Sequence, residues 1–421
     1  MSQAQYPPDS TGQGEQNRAP ALPAKPVPLW RNRDYMLLWS GQIVSSTGTR
    51  ASQLALPLLV LALTHSPAQA GLVGAIRGIP YALFILPAGA LVDRWNRKLV
   101  MILCDTGRAL ALGSIPLALL LGHMTIALFY IVSLVEGTLF TFFGLAETAC
   151  LPHVVAKEQL AGAAAQNSVI DSVSGMVGPS IGGILYGIAR AIPFLTDAIT
   201  YAASVLSIFF IKKDFQEERD IKPLRLWAEI GEGLSWLWRA PLIRFIALLT
   251  GGLILPVTGY SLILIVIAQG QHASSFTIGL ILASGGIGSI VGAMLVAPLQ
   301  RRFRFGQLMI GSTWLWGLTW LLFAVAPNPF VLGVAVAASF IVVPIYMSVQ
   351  FGYRLSVIPD QLQGRVNSVF RLIAFGSEPV GMAITGFLLQ AIGPIPAVLV
   401  LFVPQGILAM VATFSKHFKG K

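Results

Sequence analysis

The sequence predicts an all-α membrane protein of twelve transmembrane helices, arranged as two pseudo-symmetric six-helix bundles around a central cavity. Three observations predict it: a composition too apolar for a soluble domain, twelve apolar runs of bilayer-crossing length, and a repeat relating the two halves of the chain. The 421 residues are 55% hydrophobic and 11% charged, and the mean hydropathy is +0.73. A soluble domain carries about 25% charged residues.

A helix needs about 20 apolar residues to cross a bilayer. Such runs fall near 35–63, 70–92, 99–121, 125–148, 165–189, 193–211, 242–268, 275–298, 307–326, 328–350, 366–391 and 394–414. Residues 1–29 are polar and rich in Pro, Gln and Ser, and bury too little surface to offset their ordering entropy. They read as a disordered cytosolic tail, not a secretory signal, because no short apolar region with a cleavage site opens the chain. Segment 212–241 mixes charges with apolar residues at helical spacing (Leu224, Ile230, Leu234, Leu237), which predicts a linker with an amphipathic helix on the membrane surface. The expected domains are therefore a first bundle over 30–211, the linker over 212–241, a second bundle over 242–414 and a basic tail over 415–421.

Twelve crossings place both termini on one side. Of the 28 Lys and Arg residues, 23 fall on that side, Arg190 falls on the other, and Arg50, Arg77, Arg108 and Arg371 lie within spans. The positive-inside rule then puts both termini in the cytosol of a cell whose inner (plasma) membrane holds the protein. The same distribution accounts for the net charge of +10 without nucleic acid as a partner. Cys104 and Cys150, the two cysteines, read as reduced small apolar residues. No P-loop, nucleophile–base arrangement or metal-ligand cluster is readable, so neither a metal, a cofactor nor an enzyme activity is expected.

The repeat runs at an offset of 200. Asn167-Ser168-Val169 matches Asn367-Ser368-Val369, and Pro179 matches Pro379. More weakly, residues 90–97 align with 297–304, the second copy keeping two basic positions and losing the aspartate. A duplicated six-span unit implies a site at the interface of the halves near the midplane.

The charged turn Gly89-Ala-Leu-Val-Asp-Arg-Trp-Asn-Arg-Lys98 separates spans two and three, and Ser174-Gly-Met-Val-Gly-Pro-Ser-Ile-Gly-Gly183 lies in span five. These phrases resemble the signatures of the major facilitator superfamily of secondary transporters, the second being the Gly-Pro signature of its antiporters. Ser174 stands where that pattern often has glycine. Leu37-Leu-Trp-Ser-Gly-Gln42, Asp105 with Arg108, Leu160 before Asn167, and residues 233–244 further resemble the twelve-span drug:proton antiporter branch, which includes macrolide-efflux and enterobactin-export proteins. The resemblance implies that Asp93, near Asn367 and Ser368 at the start of span eleven, latches the cytosolic gate in the outward-facing state. It also implies that the rigid Gly178-Pro179 helix hinders leakage of the coupled ion.

Physical chemistry adds roles beside the resemblance. Gly89 allows close helix approach, and a carboxylate such as Asp93 suits a helix N-terminus. Arg94 and Arg97 are expected to pair with Glu147 or Asp105. Pro179 removes a backbone donor and should kink span five, where Gly178, Gly182 and Gly183 give a smooth packing face. Ionisable groups inside spans are costly and mark function. Glu136, deepest of them, together with Asp171 and Glu378 are the proton-coupling candidates. Asp171 and its repeat partner Arg371 have opposite charge and suit a switchable pair across the bundle interface. Span one is unusually polar: Gln42, Ser46, Thr49 and Gln53 recur at helical spacing beside Arg50, so this face together with Arg371 is expected to line a substrate cavity.

The expected function is proton-coupled efflux of a small amphiphilic compound (a drug, macrolide or siderophore) by a monomer in contact with lipid. Uptake or flipping of a lipid or nutrient by the same scaffold is the alternative, and a non-transporting receptor a more remote one.

Overall fold

A computed structural model describes residues 28–92, 94–213, 215 and 226–418. Among them no strand occurs, and the helices are α1 (Arg33–Thr64), α2 (Pro67–Val92), α3 (Arg97–Leu120), α4 (Ile126–Val154), α5 (Leu160–Ile188), α6 (Ile192–Phe209), α7 (Leu226–Arg239), α8 (Pro241–Val257), α9 (Tyr260–Gly270), α10 (Ser275–Arg302), α11 (Phe305–Trp320), α12 (Leu322–Val325), α13 (Pro329–Val357), α14 (Gln363–Phe375), α15 (Glu378–Ile392) and α16 (Pro394–Phe414). Eleven stretches are long and apolar enough to cross a membrane. The 32-residue α1 is the twelfth span, its hydropathy lowered by the polar residues that the sequence shows at helical spacing. Three spans are broken: α8 with α9, α11 with α12, and α14 with α15.

Helix starts follow the sequence. Asn32, Asn96, Thr125, Ser274 and Asn328 each accept a hydrogen bond from a backbone amide three residues on, which satisfies one of the amides a helix leaves unpaired. At Gly393 the chain turns between α15 and α16 with φ +80°, a conformation that favours glycine.

Helices α1–α6 form one bundle and α8–α16 the other. Two seams join them, α2 against α15 and α5 against α10. Both seams depend on small residues. A Cβ on Gly71 would lie 2.6 Å from Cα of Gly386 and 2.8 Å from the Met382 carbonyl oxygen, and one on Gly183 would clash with the backbone of Ser275. In a membrane, where lipid offers no hydrophobic drive between helices, such close backbone approach is a main source of association. These contacts lie in the half of the molecule away from the start of α1 and the end of α16. Towards the opposite face, here the basic face, the bundles part: Ser168 and Val169 of α5 are exposed, and nothing among the described residues lies within 4 Å of a Cβ built on Gly175.

Part of the segment between bundles is described. Helix α7 packs on α14 and α8, and Glu232 accepts a hydrogen bond from Arg365 Nη1. Glu229 stands 3.8 Å from the same guanidinium. Residues 1–27 of the expected tail, 214 and 216–225 of the expected linker and 419–421 of the basic tail lie outside the described residues.

Candidate functional site: a chamber between the bundles and an ionic cluster beside it

A cavity of about 850 Å³ lies between the bundles and is lined from both. The first bundle contributes Arg50 and Gln53 from α1 and Asp171 from α5; the second contributes Tyr260, Phe340 and Met347 among mostly apolar side chains. Arg50 donates to Gln53 Oε1 at 3.3 Å and has no carboxylate partner among the described residues. Asp171, likewise without an ion pair there, is exposed to the cavity. Gly178 packs against the Cβ of Arg50, and Asp171 lies seven residues earlier on α5, roughly 10 Å along the helix axis at 1.5 Å per residue. A cationic and an anionic group thus sit at separate places in one mostly apolar chamber.

Two smaller cavities continue the space. One of about 210 Å³ shares Gln53 and Ser261 with the chamber and reaches Arg77 and Glu378. Another of about 250 Å³ is lined by Arg77, Tyr81, Arg371 and Glu378. Glu378 occupies the first turn of α15, just after the break at Gly376-Ser377, where the helix dipole favours a negative charge. Its repeat counterpart region in α5 runs as one unbroken helix with Pro179 inside. Asp171 and Arg371 line different cavities and form no ion pair in this state.

Glu136 is buried and does not line the chamber. Arg77 of α2 donates to it from Nε at 2.5 Å and from Nη2 at 3.2 Å, and Arg108 of α3 donates from Nη2 at 3.2 Å. Arg108 also meets Asp105 Oδ1 at 3.4 Å and lies with Cζ 4.1 Å over the ring of Tyr201. Tyr201 and Thr49 share a hydrogen bond of 2.6 Å. Thr49 therefore serves the packing of α1 on α6, whereas Arg50 and Gln53 face the chamber. Gln42 is buried and Ser46 half-buried on the same helix.

Of the residues expected to form the gate, Gly89, Arg94, Arg97 and Glu147 lie at the basic face, while Asp105 belongs to the buried cluster with Arg108. Asp93 lies outside the described residues. Arg94 is exposed at the turn between α2 and α3, and Arg97 is buried, donating to the carbonyls of Ala149 at 2.8 Å and Phe215 at 3.3 Å. Among the described residues nothing lies within 4 Å of a Cβ built on Gly89; the bundles are apart on this side, so no backbone approaches it here. Glu147 is half-buried at the inner end of α4; its backbone carbonyl accepts from Cys150 Sγ at 3.1 Å, and its carboxyl has no hydrogen-bond or ion-pair partner among the described residues. In α5, Gly178 and Gly182 accept α1 at close range and Gly183 accepts α10, so the small-residue face serves both a bundle core and a seam.

Two charged residues enter that sequence reasoning did not single out. Asp197 of α6 is completely buried, and Arg354, expected in a loop, lies in the last turn of α13 with Cζ 3.7 Å over Phe370 and Nη1 3.0 Å from Asn367 Oδ1. The signal for Asp197 is plain in retrospect: an acid within an apolar run. Among the described residues no group of His, Cys, Asp and Glu is placed to hold a metal ion.

Known proteins share this architecture. Residues 25–417 match the family model of the transmembrane secretion effectors. The chain is 26% identical over 395 residues to the multidrug efflux pump Tap of Mycolicibacterium fortuitum, covering 90% of this chain and 95% of Tap. It is 27% identical over 353 residues to the enterobactin exporter EntS of Escherichia coli O1:K1 / APEC, covering 81% of this chain and 82% of EntS. A bacterial homologue of the iron transporter ferroportin, solved in an inward-facing state, superposes with a TM-score of 0.73 at 17% identity over 92% of this chain and 99% of that one. A multi-pass helical membrane protein whose match to the model runs from before α1 to beyond α16, this chain belongs to the transmembrane secretion effector family of the major facilitator superfamily.

Proposed function

We propose that the protein exports a small amphiphilic compound across the inner membrane in exchange for protons, working as a monomer by alternating access. The carrying observation is the 850 Å³ chamber between the two bundles, apolar over most of its wall with Arg50, Gln53 and Asp171 as its polar points. That volume and lining suit a drug-sized ligand. The relatives named as a multidrug efflux pump and an enterobactin exporter favour export over uptake.

In this reading the basic face is cytosolic, as its excess of Lys and Arg argues, and the present state is open to the cytosol. The compound enters from that side, its apolar body against Tyr260, Phe340 and Met347 and its polar groups at Arg50 or Asp171. Closure of the basic face brings the acids Glu147 and Asp171 of the first bundle towards Arg354 and Arg371 of the second. The turn containing Asp93, Arg94 and Arg97 then latches against the start of α14. Arrival of a proton on Asp171 weakens that attraction and returns the carrier, and Glu378, the other cavity-facing carboxyl without an ion pair among the described residues, is a second exchange site. Glu136, clamped by two guanidiniums, exchanges protons only when one of them moves away.

The test is dye accumulation in intact cells expressing the protein. Export predicts less fluorescent amphiphile in expressing cells than in controls and loss of that difference when an ionophore collapses the proton gradient. More dye in expressing cells would instead mean uptake and sink the proposal.

A further inference from the structure

In the ionic cluster around Glu136 the charges do not balance, and the acid left over is Asp197. Three carboxyls, Asp105, Glu136 and Asp197, face two guanidiniums, Arg77 and Arg108. Both guanidiniums are engaged with Asp105 and Glu136. Asp197, 0% exposed, has no cation within ion-pair distance among the described residues, and its carboxyl hydrogen-bonds there only to the hydroxyls of Ser52 and Thr200.

Those hydroxyls have other claims on their protons. Ser52 Oγ lies 3.1 Å from the Thr49 carbonyl oxygen, and Thr200 Oγ1 lies 2.7 Å from the backbone carbonyl of Asp197. A carbonyl only accepts, and each hydroxyl has one proton to give. With Ser52 donating to Thr49, its close contact with Asp197 Oδ2 is satisfied by a proton on the carboxyl. An ionised acid without a cation in this interior would be costly; the neutral acid removes both difficulties.

A second observation points the same way. Beside Ser52 is a cavity of about 20 Å³ walled by Ser52, Ser133, Glu136 and Arg77 among apolar side chains, enough for one water with several polar partners. The Ser133 hydroxyl in that wall is 1% exposed and has no protein partner. Arg77 and Gln53 line both this space and the 210 Å³ cavity that joins the chamber.

We propose that Asp197 is a proton-carrying residue of the transporter, linked through Ser52 and one bound water to Glu136 and so to the central chamber. The proposal rests on the proton-coupled reading above. Asp197 gives its proton to Ser52 Oγ, Ser52 passes its own to the water, and the water passes one to Glu136, so one proton leaves for each received. The charged and titratable groups around this path are Arg108 and Asp105 on α3, Arg77 on α2, Glu136 on α4 and Tyr201 on α6 itself. From α1 come Ser52 and Thr49, while on α5 Asp171 lines the chamber and Tyr186 lies one turn beyond Gly182, which packs on Ala51 beside Ser52. Ionised Asp197 attracts Arg108, drawing it from Glu136, which frees that carboxylate to accept the proton. A charge change near the α1–α6 contact thereby alters the α3–α4 contact.

Infrared difference spectra of the purified full-length protein in lipid, acid minus alkaline, test this without a substrate. A protonated-carboxyl carbonyl band is expected in the wild type, lost in Asp197→Asn and shifted in Ser52→Ala, which keeps the acid. A band unchanged in both variants, or one lost in Asp105→Asn instead, overturns the proposal. If Asp197→Asn does not fold, Ser52→Ala decides: a shifted band supports the assignment and an unmoved one removes it. In vesicles, ethidium efflux is followed with and without an imposed pH gradient. Wild type insensitive to the gradient defeats the proton-coupled reading itself; wild type accelerated and Asp197→Asn equally accelerated defeats only the role of Asp197.

Discussion

Arg77 on α2 grips Glu136 on α4 with two hydrogen bonds, Nε to Oε2 at 2.5 Å and Nη2 to Oε1 at 3.2 Å, while Arg108 takes the second of those oxygens from α3. Three helices of the first bundle are thus tied at one carboxylate. Glu136→Gln leaves two guanidiniums without that charge and should destabilise the protein by about 3–5 kcal/mol, the usual effect of breaking a buried pair. Thermal unfolding of the purified protein measures it. In the double variant Arg77→Met with Glu136→Gln, the combined loss should be smaller than the sum of the single ones, because the two groups share an interaction. Strict additivity would show that the pair is not coupled.

The seam at Gly71 should govern alternation. Gly71→Leu puts a side chain into the Gly386 backbone, whose Cα lies 2.6 Å from the position of a Cβ. It should hold the far side of the chamber ajar and slow dye transport roughly tenfold, equivalent to about 1.4 kcal/mol against the closed seam. Labelling of a cysteine placed at Tyr260 by an impermeant thiol reagent added from outside should rise. Unchanged labelling would show that this contact does not seal the molecule.

Asp171→Asn should remove part of the response to pH. In vesicles where wild-type export speeds up as the proton-supplying side is acidified, the variant should transport at a rate that varies less with that pH. Glu378→Gln should act in the same direction, since both carboxyls face cavities and have no ion pair among the described residues. Two variants with undiminished pH dependence would exclude both as exchange sites.

Arg50 should select for anionic groups. Its guanidinium, engaged among the described residues only by Gln53, is free to take a carboxylate or phosphate with charge-assisted bonds worth about 1.5–3 kcal/mol. Arg50→Gln should weaken binding of anionic amphiphiles by about tenfold or more on that scale and leave neutral ones nearly unchanged, as read by quenching of tryptophan fluorescence. Equal weakening of both classes would point to a packing role, since Gly178 rests on the Arg50 stem.

The polar stripe of α1 illustrates how far a single chain can be read. Its helical spacing marks one face as wet, and the structure divides that face: Arg50 and Gln53 turn to the chamber, Thr49 to Tyr201. A shift of one residue is about 100° of rotation, so spacing alone could not assign them. Asp171 and Arg371 show the same limit, since the repeat relates their positions while the open basic face keeps them in separate cavities. Asp197 could have been found by its type and setting, but not its partners, which come from α1 and from its own helix.

Segment hydropathy, the asymmetry of basic loops and the duplicated Asn-Ser-Val and Pro positions sufficed for the membrane, the helix count and the two-bundle plan, because each depends on how one stretch of chain partitions between water and lipid. Which acid meets which arginine, where the chamber opens, and which carboxyl is left without a cation were decided by tertiary packing. Those outcomes depend on helix rotation and approach, set by glycines whose neighbours lie far away in the chain, and hydrophobicity carries no record of them.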